Sequence, residues 1–215
     1  ENKGDEEMNE VVLMKTMTRR AISLLVATMA ALVLASGVAL ALNKVGTDGP
    51  DTLRGTNGDD NLFGKGGDDR LLALGGRDNL LGGAGKDYLS GGDERRLGGG
   101  NKNLVGGTGN DWVASGVGSD NAVGGPGNDF LNELIRDAAE DNYVGGPGDD
   151  VFAVNNRPAA RDVVVCGSGF EQVLADRKDV VAGDCERVYF GLTDDEFGET
   201  IGPSFFEGLP PPPEG

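Results

Sequence analysis

The residues best placed to do chemistry are aspartates that recur at every ninth position. From Gly64 to Ser90 the chain forms three consecutive nonapeptides, each with glycine at position four, aspartate at position six and an aliphatic residue at position eight. Carboxylates at a fixed interval can bind cations, and a formal net charge of −17 makes metal cations their natural counter-charge. The absence of histidine excludes the Ser-His-Asp and Cys-His triads and the usual zinc enzymes. The acidic excess argues against binding to nucleic acid.

The same nonapeptide predicts the elements that must position these carboxylates. Glycine allows a tight loop and close approach to the backbone, and the aspartate closes that loop. A three-residue strand follows, with the residue at position eight pointing inward and those at positions seven and nine pointing outward. One such unit buries very little surface, so it must stack on copies of itself. The low aromatic content, 6%, also favours a thin solenoid core.

The pattern is similar to the calcium-binding repeat of RTX proteins, Gly-Gly-x-Gly-x-Asp-x-U-x with U a large apolar residue. Residues 82–90 match every specified position, and further units begin at Gly55, Gly106, Ser115, Gly124 and Gly145. The resemblance implies an all-β parallel β-roll, in which two nonapeptides form one coil and each unit stacks on the next but one. Residues 55–153 would then form five to six coils.

The resemblance also implies a ligand set for Ca²⁺. Stacking would bring Asp60 near Asp78, Asp69 near Asp87 and Asp129 near Asp150, where like charges about 5 Å apart repel by roughly 3 kcal/mol. Calcium would relieve that repulsion, because it accepts carboxylate and carbonyl oxygens together. The implied metal residues are Asp60, Asp69, Asp78, Asp87, Asp111, Asp120, Asp129 and Asp150, with Gly64, Gly82, Gly106, Gly124 and Gly145.

Two places depart from the repeat. Residues 91–105 break the spacing and place Lys102 where the aspartate belongs, which predicts no calcium there and a ladder divided into two runs. Lys102 could instead form exposed ion pairs of little energy with neighbouring aspartates, on the order of 0–1 kcal/mol. Residues 136–144 lack glycine in their loop, so Asp120 opposite Asp141 is the least secure pair.

Residues 1–41 are predicted to precede the mature chain. Basic residues are followed by an apolar run, Ala21–Leu42, that contains an A-x-A cleavage site at residues 39–41. This favours export with the mature chain starting at Leu42. The alternative is a retained anchor, because the run is near the ~20 residues that span a bilayer.

The C-terminal third changes character. Residues 42–153 form the predicted roll, residues 154–188 a modified solenoid end, and residues 189–215 an acidic, proline-rich disordered tail. The only cysteines, Cys166 and Cys185, lie in the modified end, and export would oxidise them to a disulfide. Two free buried thiols are the alternative.

The sequence therefore predicts a secreted, calcium-binding β-roll protein that folds on extracellular calcium and serves as a non-catalytic surface or interaction module. No H-E-x-x-H or nucleophile-elbow motif is present, and the carboxylates are already accounted for by the repeat. Calcium ions are the predicted partner, without nucleic acid and without a membrane once the signal is cleaved. The alternatives are a metal-independent structural solenoid, a non-catalytic fragment of a larger secreted hydrolase or toxin, and a hydrolase of unknown type.

Overall fold

A computed structural model of the chain describes residues 41–92, 100–133, 138–155, 159–192, 196, 200, 209 and 210. These residues form sixteen short strands, because the nonapeptide leaves room for little more than one loop and one strand. In chain order the strands are β1 Asn43–Val45, β2 Thr52–Arg54, β3 Asn61–Gly66, β4 Arg70–Leu72, β5 Asn79–Ala84, β6 Tyr88–Ser90, β7 Asn103–Thr108, β8 Trp112–Ser115, β9 Asn121–Val123, β10 Phe130–Glu133, β11 Asn142–Pro147, β12 Val151–Ala153, β13 Val163–Ser168, β14 Gln172–Ala175, β15 Val180–Val181 and β16 Arg187–Phe190.

The strands alternate between two parallel sheets. Odd-numbered strands form the first sheet, in the order β1 to β15, and even-numbered strands form the second, in the order β2 to β16. Asn61 pairs with Asn79 and Leu71 with Leu89, so each unit stacks on the next but one. The predicted all-β parallel solenoid and its register are confirmed. The whole solenoid has about seven turns, because strands continue from Asn43 to Phe190, beyond the residues 55–153 for which five to six coils were predicted.

The core is a double row of position-eight side chains. The first sheet contributes a row that includes Leu62, Leu80 and Tyr143, and the second a row that includes Leu131 and Phe152, all of them at most 2% exposed. Alternation along three-residue strands allows one inward side chain from most strands, so the core is one residue deep on each side.

The irregular stretch at residues 91–105 does not interrupt either sheet. Asn79 pairs with Asn103 across 24 residues, instead of the 18 of the neighbouring coils, and Tyr88 pairs with Trp112. The six additional residues are therefore accommodated between strands, and the register on both sides is kept.

The outer faces of the two sheets differ. The first sheet carries an asparagine ladder, in which Asn79 donates to Asn61 and accepts from Asn103, each at 2.8 Å. Beside it runs a row of exposed apolar residues that includes the predicted outward residues Phe63 and Leu81.

On the second sheet the predicted outward Trp112 is half-buried. Its ring packs edge-to-face against Tyr88 and Phe130, and its indole N–H donates to Asn132 at 2.8 Å. Leu72, predicted to point outward, is also half-buried on this face. Leu209 is buried in the apolar cluster that contains Phe130.

The C-terminal end is closed by the predicted disulfide, Cys166–Cys185, with a Cα–Cα distance of 5.3 Å. The predicted tail boundary at residue 189 is corrected, because Tyr189 and Phe190 belong to β16 and Leu209 and Pro210 are buried. The predicted tail is otherwise described only at residues 191, 192, 196 and 200, and almost all of the predicted signal segment, residues 1–40, lies outside the described residues. Among the described residues, no helix has the length and apolar character needed to cross a membrane.

Candidate metal site

The position-six residues line two edges of the solenoid, one where loops enter each sheet. The first loop edge precedes the strands of the first sheet and carries Asp60, Asp78, Lys102, Asp120, Asp141, Asp162 and Asp179. The second loop edge precedes the strands of the second sheet and carries Asp51, Asp69, Asp87, Asp111, Asp129, Asp150 and Glu171.

In most of these aspartates one oxygen is used in stacking. The Oδ1 atom accepts the backbone N–H of the position-six residue on the preceding coil, as in Asp60 N–H to Asp78 and Asp111 N–H to Asp129, both 2.8 Å. Asp87 N–H donates to Asp111 across the irregular stretch, also at 2.8 Å. The stack of position-six residues on the second loop edge is therefore continuous from Asp51 to Asp150. The predicted division of the calcium ladder at this stretch stays a prediction.

The other oxygen distinguishes the two edges. On the first loop edge most described Oδ2 atoms have a partner: Thr56 Oγ1 donates to Asp60 at 3.0 Å, Gly116 N–H to Asp120 at 2.9 Å, and the Tyr143 hydroxyl to Asp141 at 3.0 Å. On the second loop edge the Oδ2 atoms of five successive aspartates are buried and accept no hydrogen bond: Asp69, Asp87, Asp111, Asp129 and Asp150. Asp78 is the one first-edge aspartate in that state among the described residues.

A small cradle surrounds each of these five oxygens. A Cβ atom added at Gly106 would collide with Asp111 Oδ2 and lie 2.8 Å from the carbonyl oxygen of Gly124 on the next coil. The equivalent space at Gly64, Gly82 and Gly145 is likewise bounded by the loop's own carboxylate and a carbonyl of the next coil, and at Gly124 by the carboxylate of Asp129. Glycine at position one therefore keeps open the space into which a carboxylate and a neighbouring carbonyl point.

Burial makes the ionised carboxylates costly in the absence of a cation. Desolvation raises the pKa of Asp111 and Asp129 to about 8, although a backbone N–H from the preceding coil opposes the shift in each case. Desolvation also raises the pKa of Asp87 to about 6 and that of Asp150 to about 7, and the neighbouring carboxylates add to both shifts. A cation at this edge would favour the ionised forms.

This donor set fits calcium. Calcium accepts six to eight oxygens in flexible geometry and combines carboxylates with backbone carbonyls, whereas magnesium demands a tighter octahedron. The second loop edge offers buried carboxylate oxygens without protein partners beside carbonyls of the adjacent coil. Asp69, Asp87, Asp111, Asp129 and Asp150 are the residues that would hold the ion there.

The predicted metal residues thus fall into two groups. In one group, the five second-edge aspartates and all five predicted glycines form the cradles, and Asp78 also has a buried Oδ2 without a hydrogen bond. In the other, Asp60 and Asp120 direct Oδ2 to protein donors. The predicted pairing of Asp120 with Asp141 does form, at 2.8 Å from N–H to Oδ1, and Tyr143 supplies the support that the glycine-free loop lacks.

Three position-six residues, Asp51, Glu171 and Lys102, differ from what the sequence predicted. Asp51 was absent from the predicted set, although it lies nine residues before Asp60 and continues the second loop edge. Glu171 was likewise absent; it is fully buried, and burial raises its pKa to about 7. The expected exposure of Lys102 is wrong, because that side chain is fully buried, but its charge does act on the neighbouring Asp78, whose pKa it lowers.

Another group of metal-ligand atoms lies at the C-terminal end. Cys166, Asp184 and Cys185 bring ligand atoms within 4.8 Å of one another. Both sulfurs are joined in the disulfide, so neither is a thiolate ligand.

The fold and this edge define a parallel β-solenoid whose stacked loops carry carboxylate and carbonyl oxygens suited to a hard cation. Residues 45–80, 63–95 and 98–131 match the family model of the RTX calcium-binding nonapeptide repeat, described as four copies. The chain therefore carries RTX calcium-binding repeats across residues 45–131, and such repeats bind Ca²⁺. No curated protein matches the chain. RTX rolls are structural, typically non-catalytic modules, and they are typical of extracellular secreted proteins.

Proposed function

We propose that this is a secreted, non-catalytic calcium-binding module whose solenoid folds when its second loop edge binds extracellular calcium. The proposed organisation has a signal segment at residues 1–41, a calcium-dependent roll at 42–153 and a disulfide-closed end at 154–188, with a C-terminal tail after β16. One observation carries the proposal: five successive buried Oδ2 atoms on the second loop edge have no protein partner, and at four of the five the adjoining glycine leaves a space bounded also by a carbonyl of the adjacent coil.

The same carboxylates make the ion-free fold unstable. Each uncompensated buried carboxylate opposes folding, and repulsion between stacked charges about 5 Å apart adds roughly 3 kcal/mol per pair before screening. The core opposing this cost is only one side chain deep on each sheet. Calcium bound by the folded loops and not by the unfolded chain would couple metal binding to folding. Extracellular calcium suits modules with dissociation constants of about 10⁻⁴ to 10⁻³ M.

The test is a calcium titration of the chelator-treated protein, followed by far-UV circular dichroism and by Trp112 fluorescence. Trp112 reports on the fold because it packs between Tyr88 and Phe130 in the native structure. We expect a cooperative gain of β signal with calcium and none with magnesium at the same concentration. A chain that is fully folded in chelator, and unchanged by calcium, would leave the metal-independent solenoid as the better account.

A matched pair of variants locates the site. Asp150→Asn removes a buried carboxylate charge from the second loop edge, whereas Asp149→Asn changes the exposed neighbour to the residue already found at the equivalent positions 110 and 128. We expect Asp150→Asn to raise the calcium concentration needed for folding several-fold and Asp149→Asn to leave it unchanged. Equal midpoints for the two variants would place calcium elsewhere.

A further inference from the structure

Lys102 occupies an aspartate position within the first loop edge. Its backbone N–H donates to Asp120 Oδ1 at 2.7 Å, and its carbonyl accepts Asn121 N–H at 2.9 Å, so it continues the stack that its neighbours form. On the other side, Asn103 N–H donates to the carbonyl of Asp78 at 2.9 Å. Lys102 therefore lies between Asp78 and Asp120, in the same register as both.

The Lys102 side chain is fully buried, which is unusual for a lysine. Its Nζ donates to the carbonyl of Gly100 in its own loop at 3.1 Å and to the carbonyl of Val117 in the next coil at 3.4 Å. The ammonium is thus held by backbone carbonyls of two stacked loops. A lysine ammonium carries three donors, which suits it to such a set of oxygens.

On the preceding coil, Asp78 at the same position has a buried carboxylate oxygen. Asp78 Oδ2 accepts no hydrogen bond, unlike most of the described Oδ2 atoms on this edge. Burial raises the pKa of Asp78 to about 7, a backbone N–H of Asp60 opposes that shift, and the charge of Lys102 opposes it further. Carbonyls from two coils and an aspartate without a protein donor are the kinds of oxygen that calcium selects elsewhere.

We propose that Lys102 is a tethered cation that replaces a calcium ion at this coil, so that the first loop edge is neutralised here without metal. The inference rests on the proposed function, since it assigns to a side chain the task that calcium performs on the second loop edge. A divalent ion held by the same carbonyl oxygens would be repelled by the ammonium, so the natural chain binds no calcium at this coil. Replacing Lys102 with aspartate would restore the position-six carboxylate beside these carbonyls and create a calcium site.

The experiment compares three variants of the full chain with the natural protein. Lys102→Asp restores the carboxylate, and Lys102→Met removes the charge but keeps a long side chain. The control, Lys86→Asp, makes the same charge change at an exposed residue in position five of its repeat, where residues 59, 68 and 149 are already aspartate. Bound calcium is counted by metal analysis after dialysis against excess calcium, and thermal unfolding is recorded in the same buffer.

We expect Lys102→Asp to bind one more calcium ion per chain than the natural protein, and Lys86→Asp to bind the same number. Lys102→Met should gain no ion and should unfold at a lower temperature, because Asp78 and the two carbonyls lose their cation. A folded Lys102→Asp that gains no ion, or a Lys102→Met variant as stable as the natural chain, would overturn the inference.

The two proposals can fail separately. If the natural protein binds no calcium, the proposed function fails. The loss of stability in Lys102→Met would still show that the ammonium neutralises this coil.

Discussion

Replacing Asp129 with asparagine removes one buried charge from the second loop edge and keeps the shape of the side chain. The Asp129 Oδ1 atom accepts Asp111 N–H at 2.8 Å, and an asparagine Oδ1 can accept the same bond. The Oδ2 atom, which has no partner, becomes an amide nitrogen. The substitution therefore isolates the charge from the stacking hydrogen bond.

The magnitude follows from the raised pKa. Burial raises the pKa of Asp129 from 3.8 to about 8, so the ion-free folded state holds a proton that the unfolded state releases. The ion-free fold therefore loses stability as pH rises from about 4 to about 8. Over the two pH units from 5 to 7 this loss is roughly 3 kcal/mol, at about 1.4 kcal/mol per unit. Asparagine does not titrate, so its advantage over aspartate should grow by that amount.

The assay is urea unfolding in chelator at pH 5 and pH 7, followed by far-UV circular dichroism. We expect Asp129→Asn to be more stable than the natural chain at pH 7, with the gap roughly 3 kcal/mol smaller at pH 5. If the natural chain has no folded baseline at pH 7, the pH at which each protein loses β signal gives the same comparison. With saturating calcium the order should reverse, because the natural carboxylate is then a ligand.

The control is Asp149→Asn, which neutralises an exposed carboxylate. Asp149 directly precedes Asp150, which occupies position six as Asp129 does. It should change stability by less than about 0.5 kcal/mol at either pH. A stability difference for Asp129→Asn that is the same at pH 5 and pH 7 would refute the reasoning, since it would mean that no buried proton is involved.

Three further changes test other parts of the solenoid. Tyr143→Phe should cost about 1–3 kcal/mol in urea unfolding, because it leaves Asp141 Oδ2 buried without the hydroxyl donor at 3.0 Å. Leu131→Ala should cost about 2–5 kcal/mol in the same assay, because Leu131 is fully buried and the single-layer core has little to fill the cavity. Replacing Cys166 and Cys185 together with serine should cost roughly 3 kcal/mol, the chain-entropy value for a loop of about 20 residues, and reduction of the natural protein should match it. An unchanged free energy of unfolding in any of the three would contradict the stabilising role given to the corresponding contact.

The repeat was predictable because its determinants are local. Glycine at positions one and four, aspartate at six and an apolar residue at eight specify loop, carboxylate and inward side chain within nine residues, whatever surrounds them. Stacking of equal units then fixes the register, so that Leu62 lies beside Leu80 and Asp111 beside Asp129. The disulfide between Cys166 and Cys185 was also predictable, because the chain offers one pairing.

The tertiary structure decided what each aspartate does with its second oxygen. That choice depends on donors from other positions, such as Thr56 beside Asp60 and Tyr143 beside Asp141, which the repeat does not specify. Lys102 looked like an exposed interruption, yet stacking encloses it among carbonyls of two coils. The sequence by itself determined the period and the register. Only the tertiary structure decided which edge carries carboxylates without protein partners, because a donor two to four residues away, as Gly116 N–H is from Asp120 and the Tyr143 hydroxyl from Asp141, reaches the carboxylate only once the loops are folded.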